Sequence, residues 1–127
     1  MELCGAKTLS VYTRDSSSKR ISEEEAFRIF NQIILGVGYI HDHNFAHRDL
    51  KMTNILIDHN HRVKIIDFGF ACTTLKTQNM YCGTPSYMPP EIVSKATYAA
   101  KPVDIWTVGC VLYKLLTGDY PFGGKPF

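Results

Sequence analysis

Two polar segments flank a pair of short apolar ones near the middle of the 127-residue chain. The first polar segment, residues 47–54, reads His-Arg-Asp-Leu-Lys-Met-Thr-Asn, and the second, residues 67–69, reads Asp-Phe-Gly. Residues 55–57 and 63–66 are rich in isoleucine and predict two β-strands joined by a tight turn. Because the two ends of a hairpin lie side by side, we expect the polar segments to be neighbouring loops.

The side chains of these two segments suit one kind of chemistry. Phosphoryl transfer with magnesium requires a carboxylate that orients a hydroxyl proton, oxygen ligands for a hard cation, and a positive charge that faces the phosphate. Asp49 and Lys51 are candidates for the carboxylate and the positive charge. Asn54 and Asp67 carry the oxygen donors that a hard cation prefers. Gly69 lets the backbone reverse close to a phosphate.

Two other interpretations fit some of these residues and their neighbours. Asp49 follows Arg48, and such a pair is often a simple surface ion pair. His41, His43 and His47 are close in sequence and suggest a metal cluster. A hydrolytic zinc site needs three ligands that converge as well as a general base, and the helical pattern here ends before the last histidine. The complete motif with its downstream Asp-Phe-Gly favours the catalytic interpretation.

Composition and charge exclude several classes of function. The 14 basic and 12 acidic residues give a net charge of +2, which is too small to predict binding to nucleic acid or to a membrane surface. The four cysteines have no C-x-x-C spacing, and the first residues do not read as a signal peptide. We therefore expect reduced thiols in an intracellular protein, cytoplasmic or nuclear. The longest apolar stretch, residues 103–116, is shorter than the ~20 residues of a membrane span, so no span is predicted.

A first helix is predicted over residues 22–43. Ser22 and Glu25 have the spacing of a capping box. Six apolar residues at steps of three and four predict one buried stripe: Phe27, Phe30, Ile33, Ile34, Val37 and Ile40. Gly36 and Gly38 lower the helix propensity by about 1 kcal/mol each, which suggests close packing against a neighbour.

A second helix is predicted over residues 103–117, with Pro102 near its start and Gly118 just past its end. It is apolar on almost every side, so we expect it at the centre of a domain. Residues 13–20 are polar and predict an exposed loop. Residues 70–86 lack periodicity and predict a mobile loop.

Taken together, these motifs resemble those of the eukaryotic protein kinases, specifically the serine/threonine branch. Residues 83–91, Gly-Thr-Pro-Ser-Tyr-Met-Pro-Pro-Glu, are similar to the end of that family's activation segment. Residues 104–109, Asp-Ile-Trp-Thr-Val-Gly, are similar to the start of its central helix. The resemblance implies an α+β fold, a mainly helical large lobe with a short β-hairpin, as one partial kinase domain over residues 1–127.

The resemblance also implies an activity, the transfer of the γ-phosphate of ATP to a serine or threonine hydroxyl of a protein substrate. ATP and Mg²⁺ would be the cofactors, with no nucleic-acid partner. Asp49 would be the catalytic base and Lys51 would face the γ-phosphate. Asn54 and Asp67 would bind the magnesium, and Thr84 would hydrogen-bond near Asp49 and Lys51.

Further roles follow from the same resemblance. Residues 1–5 resemble the hinge between two lobes, where the backbone of Glu2 and Cys4 would bind adenine. Leu56 would pack beneath the adenine ring. Four residues would support the site structurally: His47, Arg48, Phe68 and Asp104.

The implied activation segment, residues 67–91, departs from the family pattern. The position that many relatives phosphorylate is occupied by Met80. Arg48 would then pair with a phosphate on Thr77, or with none. Glu91 would lack the late arginine with which it pairs in the family.

The resemblance begins at the hinge and ends before the last helices of the large lobe. The chain is therefore expected to be truncated at both ends, without the phosphate loop and its strand lysine. A partial kinase sequence is one interpretation. The alternative is a catalytically inactive, truncated kinase-like module that regulates or scaffolds other proteins.

Overall fold

The computed structural model describes residues 5–15 and 21–122, in which short strands are interspersed with helices. In chain order the elements are β1 (Lys7–Thr8), α1 (Leu9–Arg14), α2 (Glu23–Asp42), β2 (Phe45–Ala46), a 3-10 helix (Met52–Asn54), β3 (Ile55–Ile57), β4 (Val63–Ile65), β5 (Cys72–Thr73), a second 3-10 helix (Pro85–Tyr87), α3 (Pro90–Val93) and α4 (Ala100–Thr117). The mixture of helices with small antiparallel sheets is the predicted α+β class.

Helix α2 begins where the capping box predicts. The Ser22 hydroxyl oxygen accepts the backbone N–H of Glu25 at 3.1 Å. Three glutamates fill the first turn, against the positive end of the helix dipole. Tyr12 of α1 donates a hydrogen bond to the Glu25 carboxylate and so ties the two helices together. Burial and that bond raise the pKa of Tyr12 to about 12, so its phenol stays protonated.

The buried stripe of α2 is rotated from the predicted one. Its members are Ala26, Ile29, Ile33 and Val37. Phe27 is 64% exposed and Ile34 is 40% exposed, so the prediction that they are buried was wrong. Both stripes satisfy the helical spacing and share two residues, so the period alone cannot choose between them.

The predicted hairpin is present as β3 and β4, which pair antiparallel with Ile55 opposite Ile65. In the turn, Asp58 Oδ1 accepts the N–H groups of Asn60 at 2.8 Å and Arg62 at 3.0 Å. The bond from Arg62 in particular holds the pKa of Asp58 below its usual value. The hairpin is therefore closed by a side chain as well as by the strand ladder.

Three strands were not predicted. β1 pairs with β3 and completes a sheet of order β1-β3-β4, while β2 pairs with β5. β5 lies inside the segment 70–86 that was predicted as a loop, so that prediction was wrong at Cys72–Thr73. Likewise, α1 includes Thr13 and Arg14 of the predicted loop 13–20. Residues 16–20 lie outside the described part of the chain.

Helix α4 begins at Ala100, earlier than the predicted residue 103, so Pro102 lies within its first turn. Proline fits there because the first N–H groups of a helix have no acceptor within the helix. The helix ends as predicted at Gly118, whose φ of 83° is left-handed. Ile105 is 57% exposed, so within the described residues one side of this apolar helix is uncovered. Across residues 5–15 and 21–122, no helix is long and apolar enough to cross a bilayer.

The main core lies between α2, the hairpin and α4. Its fully buried members include Ile33, Leu50, Ile55, Val111 and Leu115. A Cβ atom placed on Gly36 would lie 3.1 Å from Cδ1 of Ile65, so α2 packs closely on β4. The segment 47–54 lies against Asp104 of α4 at its start and next to the end of the hairpin at its finish.

Candidate active site

The backbone of residues 47 and 48 is fixed by Asp104, a fully buried carboxylate of α4. One carboxylate oxygen accepts the N–H of His47 at 2.9 Å and also contacts His41 Nε2 at 2.9 Å. The other accepts the N–H of Arg48 at 2.8 Å. Arg48 has a φ of 72°, a left-handed conformation that non-glycine residues rarely adopt. Asp104 thus holds an unfavourable turn in place with two charge-assisted hydrogen bonds.

The His47 imidazole connects the two loops. Its Nδ1 accepts the N–H of Asp49 at 3.1 Å, and its Nε2 lies 2.9 Å from the carbonyl oxygen of Ile66. Because Nδ1 accepts, Nε2 carries the proton and donates to that carbonyl. The ring is fully buried and meets the Phe68 ring edge to face, with centroids 4.8 Å apart. The loop that carries Asp49 and the loop that carries Asp67 are therefore held at a fixed separation.

A hydrogen-bonded chain joins the two residues implied to be catalytic. Lys51 Nζ donates to the Thr84 hydroxyl oxygen at 2.8 Å, and that hydroxyl donates to Asp49 Oδ1 at 3.0 Å. Lys51 Nζ also lies 3.9 Å from Asp49 Oδ2. The side chains are only partly exposed, at 27% for Lys51 and 12% for Asp49. One threonine hydroxyl thus positions both a carboxylate and an ammonium group at the mouth of the site.

The residues implied to bind a cation lie at the two ends of the hairpin, which a backbone hydrogen bond from Ile66 to Asn54 joins. Asn54 is buried, and its amide nitrogen donates to the Asp49 carbonyl oxygen at 2.8 Å, so the amide oxygen is the atom that could bind a cation. The backbone carbonyl of Asn54 accepts the N–H of Ile66 at 2.9 Å. Asp67 directly follows Ile66 in the chain, so its backbone lies close to that of Asn54. Asp67 is exposed and has a φ of 63°. An amide oxygen and a carboxylate without sulfur or imidazole suit magnesium.

The remaining predicted residues are more scattered. Leu56 is half-buried on the face of β3 opposite its buried neighbours, as strand alternation requires. Phe68 is 46% exposed. Thr77 is exposed and is not among the recorded partners of Arg48. Glu91 lies in α3, and in the described part of the chain its carboxylate has no ion pair. Glu2 and Cys4 lie outside the described residues.

The three histidines whose spacing suggests a metal cluster have separate partners. His41 contacts Asp104, and His43 Nδ1 lies 2.8 Å from the carbonyl oxygen of Tyr39. His47 bridges the two loops. Within the described ranges, no group of three or more His, Cys, Asp or Glu side chains could hold a metal ion.

Tyr98 is a residue of this site that the sequence did not indicate. Its side chain is 5% exposed, and its hydroxyl accepts from Arg48 Nη1 at 3.0 Å and donates to the Met80 carbonyl at 2.7 Å. Burial raises the pKa of the Tyr98 phenol, so the hydroxyl keeps its proton. Fifty residues separate Tyr98 from Arg48 in the chain, and no local spacing links them. Burial also raises the pKa of the nearby Cys72 thiol, which therefore stays protonated and is not an activated nucleophile.

Comparison with known proteins identifies the family. A family model described as the protein kinase domain matches residues 1–126. The chain is 39% identical over 125 residues to serine/threonine-protein kinase PLK4 of Drosophila virilis, which covers 96% of this chain and 16% of that protein. It is 47% identical over 104 residues to serine/threonine-protein kinase GIN4 of Saccharomyces cerevisiae, covering 80% of this chain and 9% of that protein.

A third relative is serine/threonine protein kinase OSK3 of Oryza sativa subsp. indica, 43% identical over 127 residues, covering 96% of this chain and 24% of that protein. The chain therefore spans at most about a quarter of the length of these three relatives. The match nevertheless includes both loops of the site and the helix that anchors them. The chain belongs to the eukaryotic protein kinase family, in its serine/threonine branch.

Proposed function

We propose that this chain contains the large-lobe part of a serine/threonine protein kinase domain. Within a complete domain it would transfer the γ-phosphoryl group of ATP to a serine or threonine hydroxyl of a protein substrate. The observation that carries the proposal is the hydrogen-bonded chain from Lys51 through Thr84 to Asp49. An intracellular location is part of the proposal, because ATP and reduced thiols occur together there.

Asp49 acts on the acceptor in this proposal. One carboxylate oxygen is engaged by Thr84, and the other is the oxygen that orients the substrate hydroxyl and accepts its proton. As the hydroxyl oxygen forms its bond to the γ-phosphorus, the bond from that phosphorus to the bridging oxygen breaks and ADP leaves. Lys51 neutralises negative charge on the transferring group, and Thr84 holds its ammonium within reach.

Asn54 and Asp67 would hold Mg²⁺, through an amide oxygen and a carboxylate. A bound Mg²⁺ would neutralise negative charge that develops on the transferring phosphoryl group. In this chain, the contribution of Asn54 is its burial and its fixed amide, while Asp67 presents its carboxylate to solvent. The hinge residues Glu2 and Cys4, together with Leu56, would provide the adenine contacts.

The test is transfer of labelled γ-phosphate by the full-length protein to a generic serine/threonine peptide. Asp49→Asn is expected to lower kcat by about 10²- to 10⁴-fold, the range for loss of a general base. Nucleotide affinity should change less than about threefold, since Asp49 does not hold the nucleotide. Asp42→Asn, at an exposed aspartate near the end of α2, is the matched control and should retain full activity. If the wild-type protein binds its partners but transfers no phosphate, the inactive regulatory or scaffold module is the better description.

A further inference from the structure

The Arg48 guanidinium is buried and has a partner for each of its nitrogens. The side chain is 5% exposed. Nε donates to the Phe70 carbonyl at 2.7 Å, Nη1 donates to the Tyr98 hydroxyl at 3.0 Å, and Nη2 lies 3.6 Å from the Met80 sulfur. These partners are a carbonyl, a phenol and a thioether, and all of them are neutral.

Within residues 5–15 and 21–122, the Arg48 guanidinium forms no ion pair with a carboxylate. A buried guanidinium is stable only if dipoles or an anion replace its lost hydration. Here the dipoles do so, and Met80 occupies the space next to Nη2. A phosphate would have to displace the Met80 side chain to reach this nitrogen.

Tyr98 connects Arg48 to the segment 78–82 through both its side chain and its backbone. Its hydroxyl donates to the Met80 carbonyl at 2.7 Å and lies 3.8 Å from the Cys82 sulfur. Its backbone forms an antiparallel bridge with Gln78, with N···O distances of 2.8 and 2.9 Å. The segment is therefore held from two directions by one residue.

The same segment leads directly to the proposed catalytic carboxylate. A Cβ atom on Gly83 would lie 3.4 Å from the Arg48 carbonyl oxygen, so the chain runs close against the catalytic loop at this point. Thr84 follows and donates to Asp49. Any displacement of residues 80–82 would move Thr84 and with it the partner of Asp49.

We propose that Tyr98 is a positioning residue that, with Met80, takes the place of an activating phosphate. It holds Arg48 and the segment 78–82 in the arrangement in which Thr84 reaches Asp49. The proposal rests on the kinase function proposed above. It means that the reaction proceeds without a phosphate on Thr77 or Tyr81, the nearest hydroxyls on either side of Met80.

The first test does not depend on catalysis. Amide hydrogen exchange is measured on the full-length protein as wild type, Tyr98→Phe and Tyr113→Phe, the last at an exposed tyrosine of α4. Removing a hydrogen bond to a buried charged group should speed exchange across residues 78–82 by about tenfold or more, and Tyr113→Phe should not. Unchanged exchange in Tyr98→Phe would overturn the proposal. Equal acceleration across α2 would also overturn it, because the effect would then be a general loosening of the fold.

The second test uses phosphate transfer and a rescue. After phosphatase treatment, wild type, Thr77→Ala and Tyr81→Phe should all keep full activity. Tyr98→Phe should lower kcat about tenfold with an unchanged KM for ATP. A carboxylate beside Arg48 should replace the lost hydroxyl, so Tyr98→Phe combined with Met80→Glu should recover most of kcat. The neutral control, Tyr98→Phe with Met80→Gln, should not.

The outcomes separate this proposal from the function on which it rests. Loss of activity on phosphatase treatment, or failure of the glutamate to rescue, would overturn the role of Tyr98 and Met80 and leave the kinase function intact. A wild-type protein without transfer activity would overturn the kinase function. In that case the exchange measurement alone decides whether Tyr98 holds Arg48 and the segment 78–82.

Discussion

The loop at residues 47–54 and the loop at residues 67–70 are neighbours that are held in different ways. In the first, every residue except Thr53 is buried or half-buried, and its backbone is bound by Asp104 and His47. In the second, all four residues are exposed, and within the described ranges the Asp67 carboxylate accepts one contact, from the Gly69 N–H at 3.4 Å. The loop at residues 47–54, proposed to accept the proton, is therefore fixed by buried hydrogen bonds. The loop at residues 67–70, proposed to hold the cation, has exposed side chains and is positioned through its backbone.

The largest effect on stability is expected when the hydrogen bonds that anchor the loop at residues 47–54 are removed. Asp104→Ala would leave the N–H groups of His47 and Arg48 and the His41 ring without their acceptor. Removing one partner from a buried charged network should lower the free energy of unfolding by about 3–5 kcal/mol. Urea unfolding of the chain measures this, with Asp42→Ala as a surface control expected within about 0.5 kcal/mol of wild type. Equal unfolding midpoints for the two variants would mean that the loop at residues 47–54 does not depend on Asp104.

A substitution in the exposed loop at residues 67–70 is expected to have an intermediate effect, on nucleotide binding and not on stability. Asp67→Asn should change the unfolding free energy by less than about 0.5 kcal/mol, because the side chain is exposed. It should weaken binding of magnesium-nucleotide by about tenfold or more, because a charged ligand of the cation is lost. Titration of the full-length protein with a fluorescent ATP analogue and Mg²⁺ measures this. If Asp49→Asn weakened nucleotide binding as much, the division of roles between the two loops would be wrong.

The smallest effect concerns the helix beneath the hairpin. Gly38→Ala should stabilise the chain by about 1 kcal/mol, the usual difference in helix propensity, since a Cβ there meets nothing within 4 Å. Gly36→Ala should gain less, because its Cβ would lie 3.1 Å from the Ile65 methyl on the strand that leads to Asp67. Thermal unfolding of both variants makes the comparison. A larger gain for Gly36→Ala would show that the space between α2 and β4 is not closely filled.

Local signals in the sequence were sufficient for part of this structure. The Ser22 cap, the β3–β4 hairpin and the Gly118 terminus depend on neighbouring residues and were predicted. The contact of Thr84 with Asp49 and Lys51 was also expected, but from family resemblance alone. Strands of two residues, such as β2 and β5, are too short to have a period and were missed.

Contacts between distant residues could not be predicted from patterns. The phase of the α2 stripe depends on which face the hairpin and α4 cover, which is a tertiary property. Tyr98 contacts Arg48 across fifty residues of chain, and the Tyr98 backbone also pairs with Gln78. No local sequence pattern indicates this contact, so the role proposed for Tyr98 could be inferred only from the three-dimensional structure.

The left-handed backbone of Asp67 limits which residues can replace it. Glycine, asparagine and aspartate tolerate a φ near the observed 63°, while most other side chains are strained there. Aspartate is thus the one member of this small set that offers a negative charge to a cation. Single substitutions to the other two keep the turn and lose that charge. The conformation therefore allows the proposed cation ligand to be lost by one substitution that leaves the backbone of this turn unchanged.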